Sequence, residues 1–159
     1  MVTPDLFRQV MSNWGSGVTI VTTADSSGNP YGLTVSSFAS VSLDPLLVLV
    51  CIDNRLTGMQ HFKDSRQFGV SILTESQEDV SRLFARKGTE RPPELYFRGK
   101  AGVPLVRGSL AALECETIAT YPGGDHSIFL GQVQELDLLE AKQGAKPLLY
   151  FRGGYQRLP

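Results

Sequence analysis

The sequence predicts a mainly β protein, an antiparallel barrel with two or three short helices. Three observations predict it. The 159 residues include 16 Gly and 9 Pro, so the chain must reverse often, which suits short strands better than a helical bundle. Apolar, β-branched runs recur between clusters of Gly, Pro, Asn, Asp and Ser, giving about six or seven candidate strands. These strands do not alternate regularly with helices, which argues against a doubly wound parallel sheet.

Each element has a local reason. Thr3 caps a first helix with Pro4 at its first position. Phe7, Val10, Met11 and Trp14 recur at helical spacing until Gly15 ends it. The apolar face of this helix is expected to pack on the body of the protein. Residues 17–24 and 30–38 are strand-like and flank the turn residues Asp25 to Asn29, a hairpin pattern. Residues 46–52 are apolar on consecutive positions, which predicts a central strand covered on both faces. A short helix over 57–63 turns Met59 and Phe62 inward, and 68–73 is a further strand. Thr74 and Gln77 have capping-box spacing ahead of a helix over about 76–86. The chain is then basic and irregular from Arg82 to Arg107. Long strands over 109–121 and 126–139 flank Pro122, Gly123, Gly124 and Asp125, and 147–152 forms a last strand.

The length suits one domain over residues 1–159. With 42% hydrophobic and 19% charged residues, the composition excludes a disordered, coiled-coil or collagen-like chain. A formal net charge of −1 gives no global footprint for nucleic acid or an anionic membrane. No apolar run approaches the ~20 residues of a membrane-spanning helix, and the first residues lack a signal-peptide core. Cys51 and Cys115 both lie in apolar runs, as reduced core thiols do. A cytoplasmic protein is expected.

Common catalytic signatures are missing. There is no phosphate loop of the G-x-x-x-x-G-K-[ST] type, no G-x-G-x-x-G fingerprint and no G-x-S-x-G elbow. His61 and His126 have no cysteine or carboxylate at metal-ligand spacing, so no metal site is expected. Polar segments beside apolar strands remain. Residues 34–38, TVSSF, place hydroxyls and amides at a strand end, suited to a neutral, hydrogen-bonding ligand edge such as a flavin; the alternative is an edge strand facing water. Residues 51–58, CIDNRLTG, leave a buried strand for a helix start, where Asn54, Arg55 and Thr57 can hold a phosphate, or Thr57 simply caps the helix. The basic stretch from Arg82 to Arg107 suits cosubstrate phosphates or a solvated surface. His126 stands at a glycine-rich tip as a stacking or donor group, or as an exposed turn residue.

Taken together, GVTIVTT, GLTVSSFASVSLDPLLVLVCID, FGVSIL, S-x-L-F-A over 81–85, YPGGDHSIFLGQV and PLLYFRGGY resemble the flavin reductase-like, FMN-binding split-barrel family. More narrowly, they resemble the short-chain reductase components of two-component flavin monooxygenases. The resemblance runs in order from Phe7 to Leu158. It implies a six-stranded Greek-key split barrel, a homodimer, and hydride transfer from NADH or NADPH to FMN or FAD, with reduced flavin passed to a separate oxygenase. It also implies site residues. Thr34, Ser36 and Ser37 match positions touching the ribityl chain and ring system, and Cys51, Asp53 and Asn54 the strand end beside them. Thr57 matches a hydroxyl near the phosphate. Phe84, with Arg86 beyond it, matches the segment closing over the flavin. His126 matches the histidine beside the nicotinamide, and Tyr150 and Phe151 the C-terminal aromatic segment. One departure is that Arg55 and Leu56 stand where many relatives carry a serine. Hydride transfer needs positioning and no protein acid or base, in keeping with the absent catalytic triad. A non-catalytic flavin carrier on the same barrel is the competing expectation.

Overall fold

The structure, a computed structural model, describes residues 1–159. Three helices, α1 (Pro4–Met11), α2 (Met59–Ser65) and α3 (Glu78–Ala85), accompany twelve strands. These are β1 (Ser16–Gly17), β2 (Thr19–Ala24), β3 (Pro30–Val35), β4 (Phe38–Leu43), β5 (Leu46–Asp53) and β6 (Gln67–Ile72). There follow β7 (Tyr96–Arg98), β8 (Pro104–Val106), β9 (Ala111–Gly123), β10 (His126–Asp137), β11 (Leu149–Phe151) and β12 (Gly154–Gln156). Seven strands make the main sheet, in the order β3-β2-β6-β9-β10-β5-β4, with every pair antiparallel. Small sheets β1-β11-β12 and β7-β8 lie beside it.

This strand order forces a barrel. β3 and β4 occupy opposite edges of the sheet, yet only Ser36 and Ser37 separate them in the chain. A flat sheet of this width would hold its edge strands about 29 Å apart at ~4.8 Å per strand. The link from Val35 to Phe38 spans at most about 11 Å. The sheet must therefore roll until its edges meet, and it closes at the Ser36–Ser37 corner. The single strand expected over 30–38 is thus two strands, and the main sheet has seven strands where the resemblance implies six.

The interior is filled by Val21, Val35, Val50, Phe62, Phe68 and Phe129, all of them buried, with α2 packed against the same cluster through Phe62 and Met59. A second cluster, including Val18, Ile20, Leu73, Phe84, Tyr96 and Leu148, lies beneath α3. Ile20 and Val21 enter different clusters, so β2 is covered on both faces, as is β6 over residues 68–71. The expectation that β5 would be so covered is corrected. Only Val48, Val50 and Ile52 of β5 are buried, alternating with half-buried Leu47, Leu49 and Cys51, because no helix lies over their side.

Two further readings change. α1 is capped as expected, with the Leu6 N–H donating to Thr3 Oγ1 at 3.2 Å. It buries none of its residues, however, and Phe7 and Trp14 are 61% and 75% exposed, so its apolar face does not pack on the body of this chain. What ties the helix end down is polar, since Arg152 donates to Ser12 O and to Asn13 Oδ1. α3 begins after a 3-10 turn over Glu75–Gln77, where the Thr74 N–H donates to Gln77 Oε1 at 3.1 Å in the expected capping box.

Candidate functional site

The alternation of β3 divides its side chains between two tasks. Tyr31, Leu33 and Val35 join the interior cluster. Gly32 and Thr34 face α3. A Cβ on Gly32 would stand 2.7 Å from Phe84 Cε1, so glycine is what lets α3 lie this close to the strand. One turn earlier along α3, the Thr34 hydroxyl donates to the Ser81 carbonyl at 2.6 Å. Ser36 follows, exposed at the corner. Ser37 bolts the corner to β5, the neighbour of edge strand β4: its hydroxyl donates to Cys51 O at 2.9 Å and accepts from the Cys51 N–H at 3.3 Å.

The end of β5 carries a polar cluster. Asp53 stands opposite His126 in the register of β5 and β10. The Asn54 N–H donates to Asp125 O at 3.0 Å, and Ser127 Oγ donates to Asn54 Oδ1 at 2.6 Å. His126 Nδ1 lies 2.7 Å from Asp125 Oδ1, and the hydrogen bond from His126 holds the Asp125 carboxyl below the usual range. Arg55 folds back on Asp53, with Nη2 2.7 Å from Oδ2 and Nε 3.0 Å from Oδ1. That grip keeps the Asp53 carboxyl far below its ordinary value.

α2 begins at Gly58 with no side-chain cap, so Thr57 does not serve as the cap considered from the sequence, and it is exposed. A Cβ on Gly58 would fall 2.0 Å from Tyr31 Cζ. The ring of Tyr31 therefore rests on the backbone of this loop, with His61 5.8 Å beyond it.

The remaining candidates sit around α3 and the small C-terminal sheet. Phe84 is buried, edge-on to Tyr96 at 5.7 Å and under the Arg91 guanidinium. Arg86 is exposed, and its carbonyl accepts from Arg91 Nη2 at 2.7 Å. Tyr150 and Phe151 are on β11, where Tyr150 packs edge-on against Tyr155 at 5.4 Å.

The structure thus brings Ser36, Ser37 and Cys51 to one corner, and Asp53, Asn54, Arg55 and His126 to the strand end that follows Cys51. Tyr150 and Phe151 stand apart on the small sheet. Ser81, Asp125, Ser127 and Tyr155 lie within the motifs quoted above but take no role from the sequence. Asp125 and Ser127 flank His126 and were open to inference; Ser81 and Tyr155 are 74 positions apart, and nothing local signals their pairing.

A rolled antiparallel sheet closed at a hydroxyl-lined corner defines a split-barrel protein. The chain belongs to the flavin reductase like domain family, which it matches over residues 11–159. It is 38% identical over 159 residues to an NADH-dependent flavin reductase of Rhodococcus sp, covering 99% of this chain and 88% of that one. It is 37% identical to the reductase component of 4-hydroxyphenylacetate 3-monooxygenase of Thermus thermophilus, covering 97% of this chain and 96% of that one. Among solved structures, the Streptomyces globisporus C-1027 NADH:FAD oxidoreductase in complex with NAD and FAD fragments superposes with a TM-score of 0.90 at 35% identity, covering 100% of this chain and 96% of that one.

Proposed function

We propose that the Thr34–Ser37 corner and the Asn54–Thr57 strand end hold FMN, or the larger FAD, and that His126 meets the nicotinamide of NADH or NADPH. The protein is a flavin reductase, an NAD(P)H:flavin oxidoreductase that supplies a separate monooxygenase. The observation that carries the site is the corner itself, where strand closure leaves the Ser36 hydroxyl exposed beside half-buried Thr34 and Cys51, with Thr57 also exposed in the loop after β5. Exposed hydroxyls next to apolar strand ends fit a flavin, whose ring is flat and apolar and whose edge and chain are polar. Bound flavin supplies the redox chemistry by accepting a hydride from the nicotinamide. The chain's own residues position. Ser37 fixes the corner, Asn54 and Ser127 fix the strand end, and Asp125 orients the His126 ring through Nδ1. Arg55 is engaged by Asp53, so Thr57 and backbone N–H groups carry more of the phosphate contact in this reading.

A homodimer goes with this reading. Strand register lines Ala39, Leu49, Leu130 and Ala119 in one row across β4, β5, β10 and β9, with Cys51, Ile128 and Tyr121 in the next. This side of the sheet and the exposed face of α1 are apolar surfaces suited to a second copy. A cytoplasmic setting fits two free cysteines, and no helix is long and apolar enough to cross a membrane.

Dissociation constants for FMN and riboflavin, followed by NADH oxidation with and without added FMN, test the reading. FMN should bind more tightly by at least ~1 kcal/mol, as a charge-assisted phosphate contact gives. Equal affinities would remove Thr57 and Arg55 from the site. Tight flavin retention with negligible NADH oxidation would make the protein a carrier.

A further inference from the structure

We infer that Ser81 and Tyr155 are positioning residues for the flavin site, linking Thr34 to the C-terminal sheet through α3. The inference rests on the reading that Thr34 touches flavin. Ser81 is fully buried and uses both of its polar oxygens. Its carbonyl accepts the Thr34 hydroxyl proton at 2.6 Å, and its own hydroxyl lies 2.7 Å from the Tyr155 hydroxyl. The Tyr155 ring is held from two sides, by Tyr150 edge-on at 5.4 Å and by the Arg82 guanidinium 4.8 Å from its centroid. Arg82 is fixed in turn by Glu78, through contacts of 2.7 and 3.0 Å to Oε1. A continuous chain of contacts therefore runs from Tyr150 through Tyr155 and Ser81 to Thr34, across four elements, β11, β12, α3 and β3.

This chain has a chemical consequence at its end. A threonine hydroxyl has one proton and two lone pairs. Here the proton is committed to Ser81 O, so Thr34 Oγ1 offers a ligand only acceptor capacity. It will take a hydrogen bond from a flavin N–H or ribityl O–H, and will not donate one to a flavin carbonyl. The relay holds that polarity only while Ser81 stays in place, and the Tyr155 hydroxyl is the side-chain contact that holds it. Thr34 and Tyr150 lie on different sheets, and the relay sets their separation, so the Thr34 end of the proposed flavin site is fixed relative to the C-terminal sheet.

The test is flavin binding to the full chain, read by quenching of flavin fluorescence, with steady-state constants measured separately for flavin and nicotinamide. Tyr155→Phe and Ser81→Ala each remove one hydroxyl, and Thr34→Val removes the acceptor while Thr34→Ser keeps it. We expect Tyr155→Phe and Ser81→Ala to raise the flavin dissociation constant about three- to tenfold, the effect of one net hydrogen bond. The KM for the nicotinamide should hold, and Thr34→Ser should bind as wild type. Tyr155→Phe combined with Thr34→Val should cost less than the product of the single effects, because both act on the same contact. If Thr34→Val weakens flavin but both Tyr155→Phe and Ser81→Ala bind normally, or if the double variant is strictly multiplicative, the relay is wrong and the flavin site stands. If Thr34→Val itself leaves flavin binding unchanged, the flavin site reading fails and the relay falls with it. Should Tyr155→Phe fail to fold, Ser81→Ala decides by the same criteria.

Discussion

Arg55 grips Asp53 with two nitrogens on two oxygens, at 2.7 and 3.0 Å, two residues apart at the mouth of the strand end proposed to hold a phosphate. The guanidinium that the sequence offered as an anion ligand is already paired with an anion. A bidentate Arg–carboxylate pair fixes the direction of both groups, and a phosphate must compete with Asp53 for the same face of Arg55.

Asp53→Asn should therefore release Arg55. FMN binding should tighten about two- to fivefold, in the range of an exposed ion-pair contact, while riboflavin, which lacks the phosphate, stays unchanged. Paired titrations of the two flavins check this. Equal tightening of both would show that the substitution acts on the corner and leaves Arg55 unused.

Gly58 and Tyr31 give a second expectation. Any Cβ at position 58 meets the Tyr31 ring at 2.0–2.4 Å, and a ring already edge-on to Phe62 has little room to retreat. Gly58→Ala should cost about 1–3 kcal/mol of stability as an overpacked contact, read as a lowered thermal midpoint. It should also weaken FMN more than riboflavin, because the displaced loop carries Thr57.

Much of this molecule was legible because its signals are local. The β9–β10 hairpin announces itself through Pro122, Gly123, Gly124 and Asp125, and α3 through Thr74 and Gln77. The barrel's closure was not, because Ser36 and Ser37 look like any strand residues. Only pairings far along the chain, of β5 with β10 and of β6 with β9, bring the two edges together and turn them into a corner. The consecutive apolar run of β5 was read as two buried faces, when one of them is open in the single chain. The flavin family was recognisable from motifs in series. The Arg55–Asp53 grip was not, since i and i+2 spacing in a loop carries no rule for pairing, and neither was the bond from Thr34 to a helix carbonyl 47 positions away.

Stability should depend on pH in a definite direction. Asp25, bound by the side chain and backbone of Asn29, has a lowered carboxyl pKa, as do Asp53 and Asp125 for the reasons given above. Groups with folded values below the unfolded value of about 3.9 add stability that is fully present above that pH. This stability disappears as pH falls through the folded values. The contribution of these carboxylates should be level from pH 5 to 8, with the thermal midpoint falling below about pH 4. Because Asp125 is exposed and Asp25 and Asp53 are only partly buried, added salt should blunt the fall. An acid transition unaffected by Asp53→Asn and Asp125→Asn together would exclude these two groups as its source.

His126→Ala should raise the KM for the nicotinamide cofactor while flavin affinity stays near wild type. One lost positioning contact corresponds to roughly a tenfold fall in kcat/KM. Asp125→Asn weakens the constraint on the ring while leaving the imidazole, and so should fall between wild type and His126→Ala. Full kcat/KM for both NADH and NADPH in His126→Ala would reduce the histidine to a turn residue and move the search for the nicotinamide site to the basic stretch from Arg82 to Arg107.

The apolar row across β4, β5, β10 and β9 tests the assembly. Leu49 sits within it, directly opposite Leu130 on one side and Ala39 on the other, and is only half-buried in the single chain. A lysine there leaves the interior untouched, because Val48 and Val50 carry the buried face. It does place an ammonium in the middle of the surface proposed to meet a second copy, where burying an unpaired charge is strongly unfavourable. Leu49→Lys should therefore sediment at the mass of one chain at micromolar concentration, where the wild type should sediment at about twice that mass. Its thermal midpoint should become independent of protein concentration, since only an associating protein gains stability by mass action. If the flavin pocket is completed by the second chain, flavin reduction should fall together with the dimer fraction across a dilution series of the wild type. A monomeric Leu49→Lys variant that reduces flavin at the full rate would show that one barrel, with its own Ser36–Ser37 corner, is sufficient.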